Sequence, residues 1–146
     1  MSKITFMKIK RMTYEYIISK FDTVPPEQGG ILGMKDGVVC EYIHDNSKTD
    51  TDRAVYEPNV SFLNDCISKW FDEGCDFCGI VHSHPRGQDT LSSSDIEYIN
   101  LLFQMNPWIE NMFFPIVVGD YGMTVYVAGM KAGELSICKA SVEFVD

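Results

Sequence analysis

Apolar residues recur along this chain with two spacings, one typical of helices and the other typical of strands. Helical spacing predicts three helices, over residues 13–21, 61–73 and 91–105, with Thr13 and Ser61 as the N-caps of the first two. The apolar residues of each segment fall on one side, so we expect each helix to pack against a larger core.

Short apolar runs bounded by turn residues predict the strands. Residues 29–44 form two predicted strands joined at Asp36-Gly37, a strong hairpin signal. Further strands are predicted over residues 53–60 and 75–84, and two or three more over residues 113–119, 124–130 and 134–145. Helices and strands in this interleaved order favour an α/β or α+β fold, in which a mixed sheet is covered by helices.

The composition of the chain narrows the class of protein. With 146 residues, 45% of them hydrophobic and 23% charged, the chain fits one globular domain over residues 1–146. A formal net charge of −9 without a stripe of lysine and arginine argues against nucleic-acid binding. The longest apolar run, residues 112–119, is too short to span a bilayer, so no membrane association is expected.

The N-terminal sequence and the cysteines predict a cytoplasmic protein. MSKITFMKIKRMTYEY has neither an uninterrupted apolar region nor a small-residue cleavage site, so we expect no secretory signal. The five cysteines lack the even number and the spacing of a disulfide framework. We expect reduced, mostly buried thiols, including the Cys75-x-x-Cys78 pair, which has no second pair to complete a metal site.

Residues 82–95, HSHPRGQDTLSSSD, contain two of the three histidines of the chain. Side chains at positions i and i+2 of a strand point to the same face, so His82 and His84 can direct two imidazoles at one point. Asp95 lies at the predicted start of the next helix, where the intervening loop can bring it back as a third ligand. Two histidines and a carboxylate with an open fourth position are typical of a catalytic zinc site.

A zinc-bound water needs a neighbouring base that is not itself a metal ligand. Glu27 is the candidate for this base. It lies immediately before a strand that starts with Gly-Gly, where the backbone can approach another strand closely.

Each of these residues also has an ordinary alternative interpretation. The two histidines could be surface residues, Glu27 could be one of many exposed acids, and Ser92 and Asp95 could form only a capping box. A capping role and a ligand role for Asp95 are compatible, because one carboxylate oxygen can cap while the other coordinates. The third histidine, His44, has no evident partner for a second zinc ion, and we expect it to be a solvated residue at a strand end.

Together these residues resemble the JAMM motif of the JAB/MPN/Mov34 metalloprotease family. The sequence H-S-H-P begins at His82 and is followed, after five residues, by L-S-x-x-D ending at Asp95. Glu27, with the G-G-I-L-G that follows it, is similar to the E-x-x-G-x-L-x-G segment of that family.

The resemblance implies a fold and a set of residue roles. The implied fold is a cytidine-deaminase-like three-layer arrangement, with a mixed sheet between helices. The implied ligands of one catalytic zinc ion are His82, His84 and Asp95. The resemblance also makes Glu27 the general acid/base and Ser92 a hydrogen-bond donor to the oxyanion.

Members of the family with this intact set are peptidases or isopeptidases. They cleave after the Gly-Gly tail of ubiquitin or of ubiquitin-like proteins, or they remove small sulfur-carrier-like domains in bacteria. The resemblance therefore implies a zinc metallopeptidase that acts on a ubiquitin-like protein or its conjugates, with an activating-enzyme-like protein as a further candidate partner. The short segment 106–113 leaves no room for the long second insertion of ubiquitin-chain-specific members, so a compact, prokaryotic-type member is expected.

Other functions compete with this interpretation. One is a non-catalytic MPN-type scaffold that binds a partner protein, and another is a DNA-repair-associated JAB-like protein. The filled catalytic positions argue against the scaffold, and H-S-H-P in place of H-N-H-P argues against the DNA-repair branch. A deaminase needs H-x-E and a downstream P-C-x-x-C, whereas here His84 follows His82 and the C-x-x-C lies upstream.

Overall fold

The computed structural model describes residues 5–21, 28–45, 60–84, 90–118 and 122–146. In these ranges the chain forms seven strands and three helices. In chain order they are β1 (Phe6–Lys10), α1 (Arg11–Lys20), β2 (Gly29–Lys35), β3 (Val38–His44), α2 (Val60–Asp72), β4 (Asp76–Ser83), α3 (Ser93–Met105), β5 (Asn111–Val117), β6 (Met123–Lys131) and β7 (Glu134–Val145). No helix among the described residues is both long enough and apolar enough to cross a membrane.

The seven strands form one mixed sheet in the order β1-β3-β2-β4-β5-β6-β7, and the sheet closes on itself. Strand β1 closes it by pairing in parallel with β7 over its five residues, from Phe6 opposite Ser141 to Lys10 opposite Val145. Strands β4 and β5 are also parallel, and α3 lies between them in the chain. The predicted mixed sheet with helices is confirmed, whereas its closure is a feature that the sequence analysis does not predict.

Both faces of the sheet are buried, each in its own apolar cluster. The inner cluster contains Ile17 of α1 and Phe21 just after it, together with residues such as Leu32 of β2 and Val81 of β4. The outer cluster joins the sheet to α2 and α3, as with Ile80 of β4. This burial on both sides explains why β4 and β5 are almost continuously apolar in sequence.

The predicted hairpin is confirmed at the Asp36-Gly37 turn. Asp36 and Gly37 adopt positive φ angles of 53° and 79°, the left-handed backbone that a type I′ turn needs at both central positions. Strands β2 and β3 pair antiparallel on either side of this turn, down to Lys35 opposite Val38.

Some element boundaries differ from the predictions. Helix α1 begins at Arg11, so Thr13 is not its N-cap; its buried hydroxyl instead donates to the carbonyl oxygen of Cys40 at 3.2 Å. Helix α2 begins at Val60, which places Ser61 inside its first turn. Strand β1 was not predicted. Of the strand predicted at 53–60, Val60 instead begins α2, and residues 53–59 lie outside the described residues.

The backbones of β4 and β5 approach each other closely at Gly79. A Cβ atom at Gly79 would lie 2.1 Å from the carbonyl oxygen of Phe113 on β5. Because that atom belongs to the backbone, it cannot move away as a flexible side chain can. Gly79 thus permits the β4–β5 pairing, in which Gly79 itself lies opposite Phe113.

We predict that Gly79→Ala lowers the free energy of unfolding by about 1–3 kcal/mol, because β4 and β5 must separate to admit the methyl group. Urea unfolding followed by circular dichroism measures this loss. Gly37→Asn is the matched control, since asparagine tolerates a positive φ and nothing lies within 4 Å of that position. Equal stability of Gly79→Ala and the wild type would contradict the close approach.

Candidate metal centre

The carboxyl end of β4 places two histidines on the outer face of the sheet. Side chains alternate along a strand, so His82 and His84 share the face of Ile80, which packs against α2 and α3. His82 lies opposite Gly29 of β2 and Ile116 of β5, and the backbone N–H of His84 donates to Val117 at 3.0 Å. Both imidazoles are buried, with exposed fractions of 7% and 5%, so they do not form a surface pair.

The start of α3 brings Asp95 to these histidines. Ser92 is the N-cap: its hydroxyl oxygen accepts the backbone N–H of Asp95 at 3.1 Å, and its own N–H donates to Asp95 Oδ2 at 2.8 Å. This reciprocal capping box fixes the first turn of the helix. The predicted capping box is confirmed, and it holds the Asp95 carboxylate in place.

Three potential ligand atoms converge at this point. The Nε2 atoms of His82 and His84 are 2.9 Å apart, and they lie 3.4 Å and 3.3 Å from Asp95 Oδ2. A tetrahedral zinc ion with bonds of about 2.0–2.1 Å separates its ligand atoms by about 3.3–3.4 Å. The triangle is close to this size, and its donors are nitrogen and oxygen, as zinc prefers. The group His82, His84 and Asp95 could therefore hold a metal ion.

One carboxylate oxygen of Asp95 lies where it can both cap α3 and bind a metal ion. From the sequence, a cap and a metal ligand are compatible at Asp95 because one oxygen can cap while the other coordinates. In the structure Oδ2 accepts the Ser92 N–H and also faces both histidines. A carboxylate oxygen has two lone pairs, so a single oxygen can serve the helix and a metal together.

The surroundings of Asp95 keep its carboxylate ionised. Burial alone would raise the pKa of Asp95, but hydrogen bonds from His82 and His84, the charge of His82 and the Ser92 N–H outweigh it. The net result is a pKa well below the usual range of an aspartate. An anionic oxygen beside two imidazoles is the form that a metal cation requires.

Gln28, the residue just before β2, is hydrogen-bonded to Ser83, which lies between the two histidines in sequence. The backbone N–H of Gln28 donates to the Ser83 hydroxyl at 2.8 Å, and the backbone N–H of Ser83 donates to the Gln28 carbonyl at 2.8 Å. Ser83 points to the face opposite His82 and His84, where it is fully buried. Sequence reasoning missed this contact, because a bond across 55 residues has no local signal.

His44 is the last residue of β3, as predicted, but it is half-buried and held in a hydrogen-bonded chain rather than fully solvated. Its Nε2 lies 3.1 Å from Gln28 Oε1, and its Nδ1 lies 2.7 Å from the hydroxyl of Tyr42. An amide oxygen only accepts, so Nε2 carries the proton and Tyr42 donates to Nδ1. Burial raises the pKa of Tyr42, which keeps that hydroxyl protonated as a donor.

Glu27 and Ser92 are the two remaining predicted site residues. Glu27 lies outside the described residues, although its neighbour Gln28 contacts Ser83. Ser92 is exposed beside the metal centre, and its capping bond uses the hydroxyl only as an acceptor. The hydroxyl proton therefore remains for a second partner.

The C-x-x-C pair takes no part in this centre. Cys75 and Cys78 are buried free thiols at the opposite end of β4 from the histidines. Cys75 belongs to the outer cluster and Cys78 to the inner one, so they lie on different faces of the sheet. Burial raises the pKa of Cys75 to about 11, as expected for an unreactive thiol.

Two solved structures share this fold. Protein DSY2949 from Desulfitobacterium hafniense, a solution structure, matches with a TM-score of 0.66 and 14% identity over 95% of this chain and 94% of its own. AF2198, a JAB1/MPN domain protein from Archaeoglobus fulgidus, matches with a TM-score of 0.54 and 18% identity over 94% of this chain and 97% of its own. At these identities the likeness concerns the fold. No curated protein matches the sequence.

The fold is thus that of a JAB1/MPN-type domain, with a His-His-Asp group at the end of a central strand. A family model is more specific. The model for prokaryotic homologues of the JAB domain matches residues 15–132, and the chain belongs to that family.

We predict that Ser92→Ala lowers the free energy of unfolding by about 1 kcal/mol, because the N–H of Asp95 loses its acceptor at the start of α3. Ser92→Thr keeps the hydroxyl and should recover most of the loss. Chemical denaturation of the metal-free protein checks both. A wild-type stability for Ser92→Ala would mean that the cap does not stabilise the first turn.

Proposed function

We propose that this protein is a zinc-dependent peptidase or isopeptidase that cleaves after the Gly-Gly-type tail of a ubiquitin-like protein. The observation that carries the proposal is the triangle of two imidazole nitrogens and one carboxylate oxygen at the buried end of β4. Three protein ligands leave a tetrahedral ion one position for water or substrate, as in catalytic zinc sites. Membership of the JAB family, which includes JAMM-type hydrolases, supports the same chemistry.

His82, His84 and Asp95 would hold the zinc ion through Nε2, Nε2 and Oδ2. When bound, the ion lowers the pKa of a water molecule and polarises the scissile carbonyl. The ionised Asp95 supplies the anionic ligand, and each imidazole releases its Nε2 proton when it binds the metal. The hydroxyl of Ser92, whose proton the cap leaves unused, donates to the oxyanion that forms on the carbonyl.

Glu27 is proposed as the base that takes the proton of the attacking water and passes it to the leaving amine. The support is the double backbone contact of the next residue, Gln28, with Ser83, which lies between the two histidines in sequence. Consecutive Cα atoms are about 3.8 Å apart, so this contact ties the chain next to Glu27 to the end of β4.

The short connection between α3 and β5 supports a compact, prokaryotic-type member of the family. Only residues 106–110 connect α3 to β5, fewer than the segment 106–113 of the sequence analysis. A connection this short offers no insertion with which to distinguish one ubiquitin chain from another. We therefore propose a ubiquitin-like protein or its conjugates as substrate in the cytoplasm, with an activating-enzyme-like protein as candidate partner.

We predict that the protein purifies with about one equivalent of zinc and that Asp95→Asn loses it, with metal content measured by mass spectrometry. Asparagine still accepts the Ser92 N–H, so the variant should keep its fold while it loses the anionic ligand. Glu97→Gln, an exposed change on the same helix, is the matched control and should retain zinc. Zinc retained in full by Asp95→Asn would remove Asp95 from the ligand set.

We predict that Glu27→Gln lowers the cleavage rate of a ubiquitin-like fusion protein at least about 100-fold and leaves the bound zinc unchanged. The amide cannot accept the water proton, but it is not a metal ligand. Glu41→Gln, an exposed acid on β3, should leave the rate unaltered. Undiminished cleavage by Glu27→Gln would exclude Glu27 as the base, and a zinc-loaded wild type that cleaves no such fusion would favour the non-catalytic scaffold.

A further inference from the structure

An apolar groove of about 680 Å³ lies at the end of β4 away from the histidines. We call it the aromatic groove, and its principal apolar walls are Ile67, Phe71, Phe77 and Trp108. Strand β4 rises about 3.3 Å per residue, so the groove is roughly 20 Å from the metal centre. The aromatic groove is therefore a separate surface, on the same side of the sheet as α2 and α3.

Two large aromatic side chains at the groove are turned to solvent. Phe71 is 74% exposed and Trp108 is 73% exposed, although both line a concave apolar surface. Tryptophan is the residue most enriched at binding hot spots, and an exposed aromatic pair at a groove is typical of an interaction site. By contrast, Trp70 in the same helix as Phe71 is buried in the outer cluster.

The backbone holds Trp108 in this position. Asn106 ends α3, its side-chain amide and its backbone N–H both donating to the Leu102 carbonyl, at 2.9 Å and 3.0 Å. The N–H of Ile109 then donates to the Asn106 carbonyl at 3.0 Å, which closes a four-residue turn with Pro107 at its second position. Trp108 thus projects from a constrained turn, and little backbone entropy would be lost when a partner binds it.

The charged side chains that line the groove are acidic, although Lys35 interacts electrostatically with the lining residue Cys75. Among the lining residues, all of them in the described part of the chain, Asp72 and Asp76 are acids and none is lysine or arginine. Asp72 and Glu73 also follow one another at the carboxyl end of α2, where the helix dipole already disfavours negative charge. A second copy of this chain would bring another net charge of −9 to this rim. Charge complementarity therefore selects a positively charged occupant.

We propose that the aromatic groove binds a basic segment of a partner protein. That segment inserts large apolar side chains between Phe71 and Trp108 and places lysine or arginine against Asp72 and Asp76. The proposal does not depend on hydrolysis at the metal centre, because none of the groove residues belongs to that site.

The test is selection of a phage-displayed random peptide library on the full chain. Peptides that also bind a variant carrying Asp72→Asn, Asp76→Asn and Trp108→Ala are removed. We expect the enriched peptides to combine net positive charge with bulky apolar residues. No enrichment over the variant, or enrichment of neutral or acidic peptides, would overturn the proposal.

Binding of a selected peptide is then measured by fluorescence anisotropy of the labelled peptide. Trp108→Ala, and Asp72→Asn with Asp76→Asn, should each weaken the affinity by about tenfold or more, and the affinity should fall as salt is added. Met12→Ala and Glu134→Gln with Glu143→Gln remove comparably exposed groups elsewhere and should have no effect. Unchanged affinity in the groove variants, or an equal loss of affinity in the control variants, would overturn the proposal.

A second measurement separates a partner from self-association. Trp70 is buried, so a blue shift of tryptophan emission on peptide addition reports on Trp108. We expect this shift at a constant monomeric mass in analytical ultracentrifugation. A shift that instead accompanies dimer formation without peptide would identify a second copy as the occupant and overturn the proposal of a basic partner.

Discussion

The geometry of the metal centre depends on the position of one oxygen atom, Oδ2 of Asp95. The N–H of Ser92 holds it at 2.8 Å, and it lies 3.3–3.4 Å from the nitrogens of His82 and His84. The hydrogen bonds that start α3 thus also position the Asp95 carboxylate beside the histidines. A change that frays the first turn of α3 would displace a candidate metal ligand, and a metal bound there would in turn stabilise that turn.

The second constraint is the burial of the sheet on both faces. Because apolar clusters lie on each side, the alternation of side chains along β4 decides which face each residue occupies. His82 and His84 face the helical layer that carries Asp95, while Ser83 faces the other way and bonds to Gln28. Three successive residues therefore connect the metal centre to α3 on one side and to β2 on the other.

Local rules predicted most of the fold and the three ligand candidates. Strand alternation pairs His82 with His84, and the S-x-x-D spacing places Asp95 at a helix start; neither inference needs tertiary information. Strand β1 escaped prediction because its five residues, two of them lysines, are too short a signal and form a strand by pairing with the distant strands β7 and β3. The contacts of His44 escaped for the same reason, since they depend on where the β2 and β3 backbones meet.

Closure of the sheet has a consequence for how the protein resists misassembly. An open sheet exposes two strand edges that can recruit other chains, and a closed one removes that route to edge-to-edge aggregation. The closure is uneven, however. Strand β1 pairs with β7 along its whole length, but with β3 only where Ile9 lies opposite Val39. This narrow seam is where breathing of the native state and rapid amide exchange should begin, far in sequence from the capped helix that carries Asp95.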